Sequence, residues 1–394
     1  MRGVLAFVCA LLALPVLSVL GAWLAFDDAA LQVLQHQWHT VLPGYVWQSL
    51  VLALGTAIGT AAVGGMAAAL VTLFEFRGRR WFEAALLLPL AMPAYVLAYA
   101  YTDFLQYSGP LQSALRAATG ASGALWPDVR SLPAAIVLFV LCLYPYVYLL
   151  ARTALAERGV HLMESARLLG AGLRRRIVEV ALPLARPAIA AGVSLAVMET
   201  LADYGVGSYF GLTTFSTGIY KAWLVMFDRI AAAQLASLLL LLVALLLWVE
   251  RRAEARLRFA GSRSTASQSA EARPIALHGR AAWLAQLACA LPVLLGFVLP
   301  VAVLLRLAWR EARYGEFGLP LARFGKWSWT SFELAALAAL LAVLLATALG
   351  FARRLRTRRT GHRPDALALG TQLVGLGYAV PGAVIAVGIL LPLD

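Results

Sequence analysis

The side chains that catalytic and metal sites draw on are few here and scattered. The histidines are His36, His39, His161, His278 and His362, and the cysteines are Cys9, Cys142 and Cys289. There is no Cys-x-x-Cys, no histidine pairs with a cysteine, and the cysteines fall in separate apolar stretches, so they read as small apolar fillers. His36 and His39 are close enough to share a metal but read as solvated loop residues. The two lysines, Lys221 and Lys326, lie outside any G-x-x-x-x-G-K-[ST] loop, which excludes nucleotide binding by that route. No catalytic residue, metal ligand or cofactor is assigned. Two arrangements remain. Glu199 and Asp203 stand four apart in an apolar stretch, with Tyr204 beside them. At that spacing both carboxylates share a helical face. Ionisable groups inside a membrane face a protein interior or a water-filled path, so these three are candidate pathway residues for a cation. The competing reading puts Asp203 at the outer interface and bonds Glu199 to a neighbouring helix. Tyr99, Tyr101, Tyr144, Tyr146 and Tyr148 also offer phenolic oxygens, and read chiefly as packing or interface residues. The second arrangement is the run Glu164-Ser165-Ala166, then Gly170, then Val180, Leu182 and Pro183.

The elements that position these residues are membrane spans. Hydrophobic residues make up 62% of the chain and charged ones 13%, and the mean hydropathy is +0.79. Soluble domains carry roughly 25% charged residues. The apolar residues form blocks of about 18 or more, enough to cross a bilayer as helices, and lack the short alternating segments of a barrel. Nine spans are predicted, at about 4–26, 48–73, 84–104, 133–152, 186–206, 231–249, 284–308, 331–352 and 368–391. The first is also compatible with a cleaved signal peptide, although its apolar block is long for one. Most of the 33 basic residues fall in alternate loops: Arg77–Arg80, Arg152–Arg186, Arg251–Arg280 and Arg353–Arg363. The positive-inside rule makes that side the cytoplasm and places the N-terminus there. The net charge of +13 is therefore topological and implies no nucleic-acid partner. Arg306, Arg310, Arg313, Arg323 and Lys326 lie on the opposite side and break the pattern.

The chain repeats itself. Trp47-Gln48-Ser49 leads through a span and an arginine loop to Pro93-Ala94-Tyr95-Val96, and Trp329-Thr330-Ser331 leads likewise to Pro381-Gly382-Ala383-Val384. Tryptophan to proline is 46 residues in the first and 52 in the second. Both copies run inward, so they are parallel repeats facing each other across a central pathway. The predicted organisation is 1–47, a first span and outer loop; 48–249, a first transmembrane domain; 250–283, a small and polar cytoplasmic linker; 284–329, a second opening span and loop; and 330–394, the start of a second domain. That second repeat is incomplete, and repeat arithmetic predicts a full chain of roughly 540 residues.

Written as a pattern, residues 164–183 read E-[AS]-A-x3-G-x9-[IV]-x-L-P. This resembles the signature loop of the permeases of binding-protein-dependent ABC importers, with Ser165 for alanine and Val180 for isoleucine. Residues about 160–169 are expected to form a short helix across the span ends, with Leu162, Ala166 and Leu169 on one face. Gly170 and Gly172 suit a helix stop and a turn of positive φ. The alternative is an amphipathic connector lying on the lipid surface. The resemblance implies an all-α polytopic protein of the type I importer fold, in a bacterial inner membrane. It implies a coupling loop of Glu164, Ser165, Ala166, Gly170, Val180, Leu182 and Pro183, seated on a dimer of ATP-binding cassette subunits. A periplasmic solute-binding protein is the other implied partner, besides the lipid bilayer. The stretches Leu88–Tyr101, Glu199–Val206 and Thr217–Trp223 most resemble fused-repeat ferric-iron permeases. Thiamine, sulfate or a polyamine are alternative solutes. An ion-coupled secondary transporter has no reason to carry the 164–183 pattern, and an intramembrane enzyme would need a nucleophile–base pair or metal ligands at membrane depth. A half-complete second repeat lacks its own signature loop, so transport by the 394-residue form alone is not expected.

Overall fold

The computed structural model describes residues 13–21, 23, 28–258, 274–315, 320–360 and 380–391. Residues 13–21 are helical. A short helix α1 (Asp28–Thr40) leads into α2 (Leu42–Leu73), which carries Pro43 in its first turn, where a missing N–H costs nothing. A two-residue strand β1 (Phe74–Glu75) and a turn at Gly78 lead to α3 (Arg79–Ala85). A 3-10 turn at Leu88–Ala91 and an extended Met92 precede α4 (Ala94–Leu105), and α5 (Pro110–Thr119) follows it. The long α6 (Leu132–Leu168) comes next. Then come α7 (Leu173–Ala202), the short α8 (Gly205–Phe210) and α9 (Phe215–Tyr220), and α10 (Arg229–Arg258). Strand β2 (Ile275–Ala276) pairs in parallel with β1 and opens into α11 (Gly279–Tyr314). The second repeat supplies α12 (Leu321–Thr360) and α13 (Gly382–Leu390).

Among the described residues six helices are long and apolar enough to cross a membrane, with a seventh if the bent pair at 79–119 is one span. Seven predicted spans are thus accounted for. The rest of 4–26 and of 368–391 lies outside the described residues. Three expectations need correction. The predicted span 84–104 is broken, with a bend of 90° between its halves. Pro93 has no N–H to continue the helix and forces Met92 out of the α region, to φ −102° and ψ 112°. The predicted span 133–152 and the short helix at 160–169 are one helix of 37 residues. The predicted linker is narrower than 250–283, because α10 runs on to Arg258 and β2 begins at Ile275. Its centre lies outside the described residues.

Prolines shape the spans in a second way. Both α7 and α11 contain a wide π-turn, at Ile177–Ala181 and Leu294–Val298. Each is followed two residues on by a proline, Pro183 or Pro300. The extra residue in the turn moves the carbonyl that the ring would otherwise strike.

Helices α2, α6 and α7 form the centre of the first half. Gly55 faces Ile136, Gly59 faces Val140, and a Cβ on Gly64 would sit 2.6 Å from the Tyr144 carbonyl oxygen. Gly192 of α7 likewise meets the backbone of Val147 on α6. In lipid the association of spans depends on such close approach, since apolar burial offers little. Phe139, Tyr144 and Tyr148 are buried in this centre.

The opening helix of each half packs on the other half. Ala285, Cys289 and Val293 of α11 share a core with Leu86, Tyr144 and Tyr148. The Tyr101 hydroxyl donates to the Leu295 carbonyl at 2.7 Å, and Gln286 donates to the Arg77 carbonyl at 2.8 Å. Arg306 pairs with Asp103 at 3.0 Å, so one arginine that broke the charge pattern has a local carboxylate to answer it. At the other end of the chain, Val19 shares a core with Ala383, Val384 and Val387 of α13, and Gly388 lies against Pro15. The side chains of α12 are exposed wherever they are described.

Candidate coupling hairpin and solute pathway

The signature residues sit at the hinge of a helical hairpin. Helix α6 ends in a Schellman cap. The Gly170 N–H donates to the Arg167 carbonyl at 2.9 Å, and the Ala171 N–H to the Ala166 carbonyl at 3.0 Å. Gly170 has φ +82°, the left-handed conformation this cap requires and glycine adopts freely. Gly172 does not share it: with φ −65° and ψ 160° it is the N-cap of α7, and its carbonyl accepts from the Arg176 N–H at 3.0 Å. The first expected turn glycine is therefore borne out and the second corrected.

The cap brings Glu164, Ser165, Ala166 and Gly170 to the hairpin tip. Val180, Leu182 and Pro183 lie further back on α7, at and after its wide turn. The tip is apolar where an isolated protein would be polar. Leu168 is 81% exposed and Leu169 88%, with Leu162, Leu173 and Val178 also exposed. Met163 is buried against the bundle and fixes the end of α6. A groove of about 540 Å³ is lined by Gly172, Leu173, Arg174, Arg175, Val178 and Glu179. Arg175 reaches Glu179 at 2.7 Å, and Arg167 reaches Glu164 at 3.8 Å. Both pairs are exposed and contribute little to stability. Behind the tip, Arg79 bridges Glu75 and Glu83, Glu83 takes Arg152 at 2.8 Å, and Tyr148 donates to the Glu83 carbonyl at 3.0 Å. Leu162 and Leu169 were placed on one face from the sequence, and the exposure of Leu168 and Leu173 was not anticipated. The arginines beside them were read as topology anchors, and the groove they line was not anticipated.

The candidate pathway residues sit at the end of α7 and in the turn that follows it. Helix α7 ends at Ala202, and Asp203 is extended, with ψ 123°. Glu199 lies on α7 and Asp203 is its C-cap one turn further on, so the chain leaves the helix after the second carboxylate rather than between the two. The Asp203 carboxylate accepts from the Val206 N–H at 2.7 Å, an Asx-type bond that favours the break. Both carboxylates remain within electrostatic reach of Cys142 on α6. The Tyr204 ring stacks on Tyr220 of α9 with centroids 4.2 Å apart. Of the tyrosines considered as oxygen donors, Tyr144 and Tyr148 are buried and Tyr101 bonds to α11. Among the described residues no three of His, Cys, Asp and Glu cluster as a metal site would need.

A hairpin with an exposed apolar tip, carried by a glycine-packed bundle of spans, is the layout of a transporter subunit driven from outside the membrane. The profile of the binding-protein-dependent transport system inner membrane components matches residues 61–259. The chain belongs to this family. It is thus an inner-membrane, multi-pass permease subunit of an ABC importer, with the type I importer fold. Among similar proteins is the Fe(3+)-transport system permease protein FbpB 2 of Haemophilus influenzae, 24% identical over 202 residues, covering 51% of this chain and 36% of that protein. The maltose/maltodextrin permease MalF of Shigella flexneri is 30% identical over 142 residues, covering 36% of this chain and 27% of that one. The sulfate permease CysT of Escherichia coli is 27% identical over 253 residues, covering 62% of this chain and 87% of that one. The chain spans 36% of the length of the iron relative and 27% of that of the maltose relative.

Proposed function

We propose that this permease moves ferric iron from an extracytoplasmic binding protein into the cytoplasm, driven by a dimer of ATPase subunits, one of which seats on the 162–178 hairpin. The observation that carries the coupling role is the hairpin tip. Leu168 and Leu169 are presented to solvent by a glycine cap, beside the basic groove at Arg174 and Arg175. Exposed apolar patches framed by charge mark protein interfaces. The basic rim suits an acidic rim on the ATPase. The N-terminus is assigned to the cytoplasm on the arginine distribution. The mechanism is alternating access: closure of the ATPase dimer moves the hairpin, α6 and α7 carry the motion into the membrane, and the outward side opens to the loaded binding protein. Glu199, Asp203 and Tyr204 border the route. The two halves of the chain, divided by the segment around 259–273, supply its two walls.

Support for iron comes from the iron relative and from a pathway candidate built of carboxylates and phenols, the oxygen ligands a hard cation favours. A second reading, sulfate, is favoured by the sulfate relative, of which this chain spans 87%. The test is uptake of labelled ferric iron and of labelled sulfate by cells stripped of other routes for each. The cells express the full gene with its binding protein and ATPase, with or without Gly170→Asp. Iron uptake lost in the variant, with the protein still in the membrane, is the expected result. Sulfate uptake without iron uptake would transfer the assignment to the second reading. Uptake unaffected by Gly170→Asp would overturn the coupling role of the hairpin.

A further inference from the structure

Five tyrosines from three elements converge beside the break at Asp203. On α4, Leu97, Ala98 and Ala100 are fully buried, while Tyr95 and Tyr99, four apart on the opposite face, are 57% and 48% exposed. A Cβ on Gly205 of α8 would meet the Tyr95 side chain at 2.8 Å, so only glycine lets α8 lie this close to α4. One turn on, the Tyr209 ring centroid is 6.3 Å from that of Tyr99. On the other side of Gly205, Tyr204 stacks on Tyr220 of α9.

Two helix breaks meet here, at Met92–Pro93 and at Asp203–Tyr204. From Arg186 to Asp203 a helix rises roughly 25 Å, which is short of the roughly 30 Å hydrocarbon core. With Arg186, the last arginine of the inner loop, taken as the inner boundary, the second break lies within the outer leaflet. Broken backbone at that depth is tolerated only where it is buried in protein or lines a water-filled cavity. The surface at this break is exposed rather than buried, and it is phenolic rather than aliphatic. Turned to hydrocarbon, each exposed hydroxyl would lose its hydrogen bonds to water.

We propose that Tyr95, Tyr99, Tyr204 and Tyr209, backed by Tyr220 and Asp203, form a water-lined constriction in the outer leaflet that the solute must pass. This rests on the reading of Asp203 and Tyr204 as pathway residues and adds the wall supplied by α4. The constriction favours cations. Aromatic faces and carboxylates both present negative potential. Glu199 lies one turn below on α7. The positive groups nearby are Arg130, held over the Tyr209 ring at 5.0 Å, and Lys221, next to Tyr220 in sequence.

Thiol accessibility tests this without knowledge of the solute. Tyr95→Cys, Tyr99→Cys and Tyr204→Cys are made singly in the full chain carrying Cys9→Ala, with Leu241→Cys on α10 as the comparison. Membranes are treated with a cationic trimethylammonium and an anionic sulfonate methanethiosulfonate, each rate normalised to that of a small free thiol. The tyrosine positions are expected to react at least tenfold faster than Leu241→Cys. They are also expected to prefer the cationic reagent about tenfold, a preference that Asp203→Asn reduces. Three inert tyrosine positions would overturn the water-lined constriction. Reaction without cation preference would overturn its charge selectivity. Neither result depends on ATPase coupling or uptake, so failure here is distinguishable from failure of the iron assignment.

Discussion

Replacing Leu168 and Leu169 together with serine separates docking from folding. Both side chains are more than four-fifths exposed in the subunit, so the change removes almost no internal packing. Surface substitutions of this kind shift stability by about 0.5 kcal/mol or less. The glycine cap is untouched, since its bonds run through the backbone of Ala166, Arg167, Gly170 and Ala171. In the assembled importer the two leucines are expected to be covered by the ATPase. Full burial of a leucine contributes about 1.5–3 kcal/mol, so the pair contributes about 3–6 kcal/mol when both are covered. At 1.4 kcal/mol per tenfold, the double variant is expected to bind its ATPase at least about 100-fold more weakly. The assay is titration of the detergent-solubilised permease with purified ATPase, read by co-purification and by stimulated hydrolysis, beside a melting curve of the permease alone. An unchanged melting curve with lost affinity is the expected pair of results. Unchanged affinity would refute the reasoning, because no seat on this tip could leave both leucines uncovered. Leu155→Ser is the contrasting control: that side chain is 2% exposed, and its loss is expected to lower the melting temperature.

Three further outcomes follow from the geometry. Asp103→Asn leaves Arg306 half-buried without its carboxylate and is expected to cost about 1–3 kcal/mol; melting of the variant against the charge-swapped Asp103→Arg/Arg306→Asp double variant checks it, and the swap recovers part of the loss. Gly64→Val places side-chain atoms against the Tyr144 carbonyl and is expected to cost about 1–3 kcal/mol or more, seen as reduced yield of folded protein, whereas Gly170→Ala, with open space around it, is expected to lose only about 1–2 kcal/mol through its positive φ. Pro15→Cys with Gly388→Cys is expected to form a disulfide under mild oxidation, detected as two chain pieces that stay joined after cleavage at a protease site inserted near residue 265; pieces that separate would show that the first helix does not pack on the second half.

The crossed packing of opening helices bears on how such a permease works. Helix α11 is tied to the first half through its core contacts, two hydrogen bonds, an ion pair and the β1–β2 pairing, and residues 13–21 reach across to α13. Each half therefore carries an element belonging to the other. In the proposed mechanism a movement started at the 162–178 hairpin would reach both.

The sequence by itself determined the membrane class, because only long apolar runs satisfy a backbone in lipid. It also carries the arginine loops, the repeat and the signature pattern on which the proposed topology and coupling role rest. It also determined the cap at Gly170, because the preference of glycine for positive φ is local and needs no partner. What only the tertiary structure decided depends on neighbours distant in sequence. Helix propensity places no end near residue 152, and packing of α6 against α2 and α7 lets it run to Leu168 as one rod. The break that follows Asp203 is set by the Val206 N–H and the docking of α8 on Tyr95. Arg306 looked misplaced until Asp103, 203 positions earlier, was seen beside it. In the sequence Tyr99 read as an interface or packing residue and Tyr204 as a pathway candidate; with Tyr95, Tyr209 and Tyr220 they become one surface only because Gly205 lets two broken helices touch.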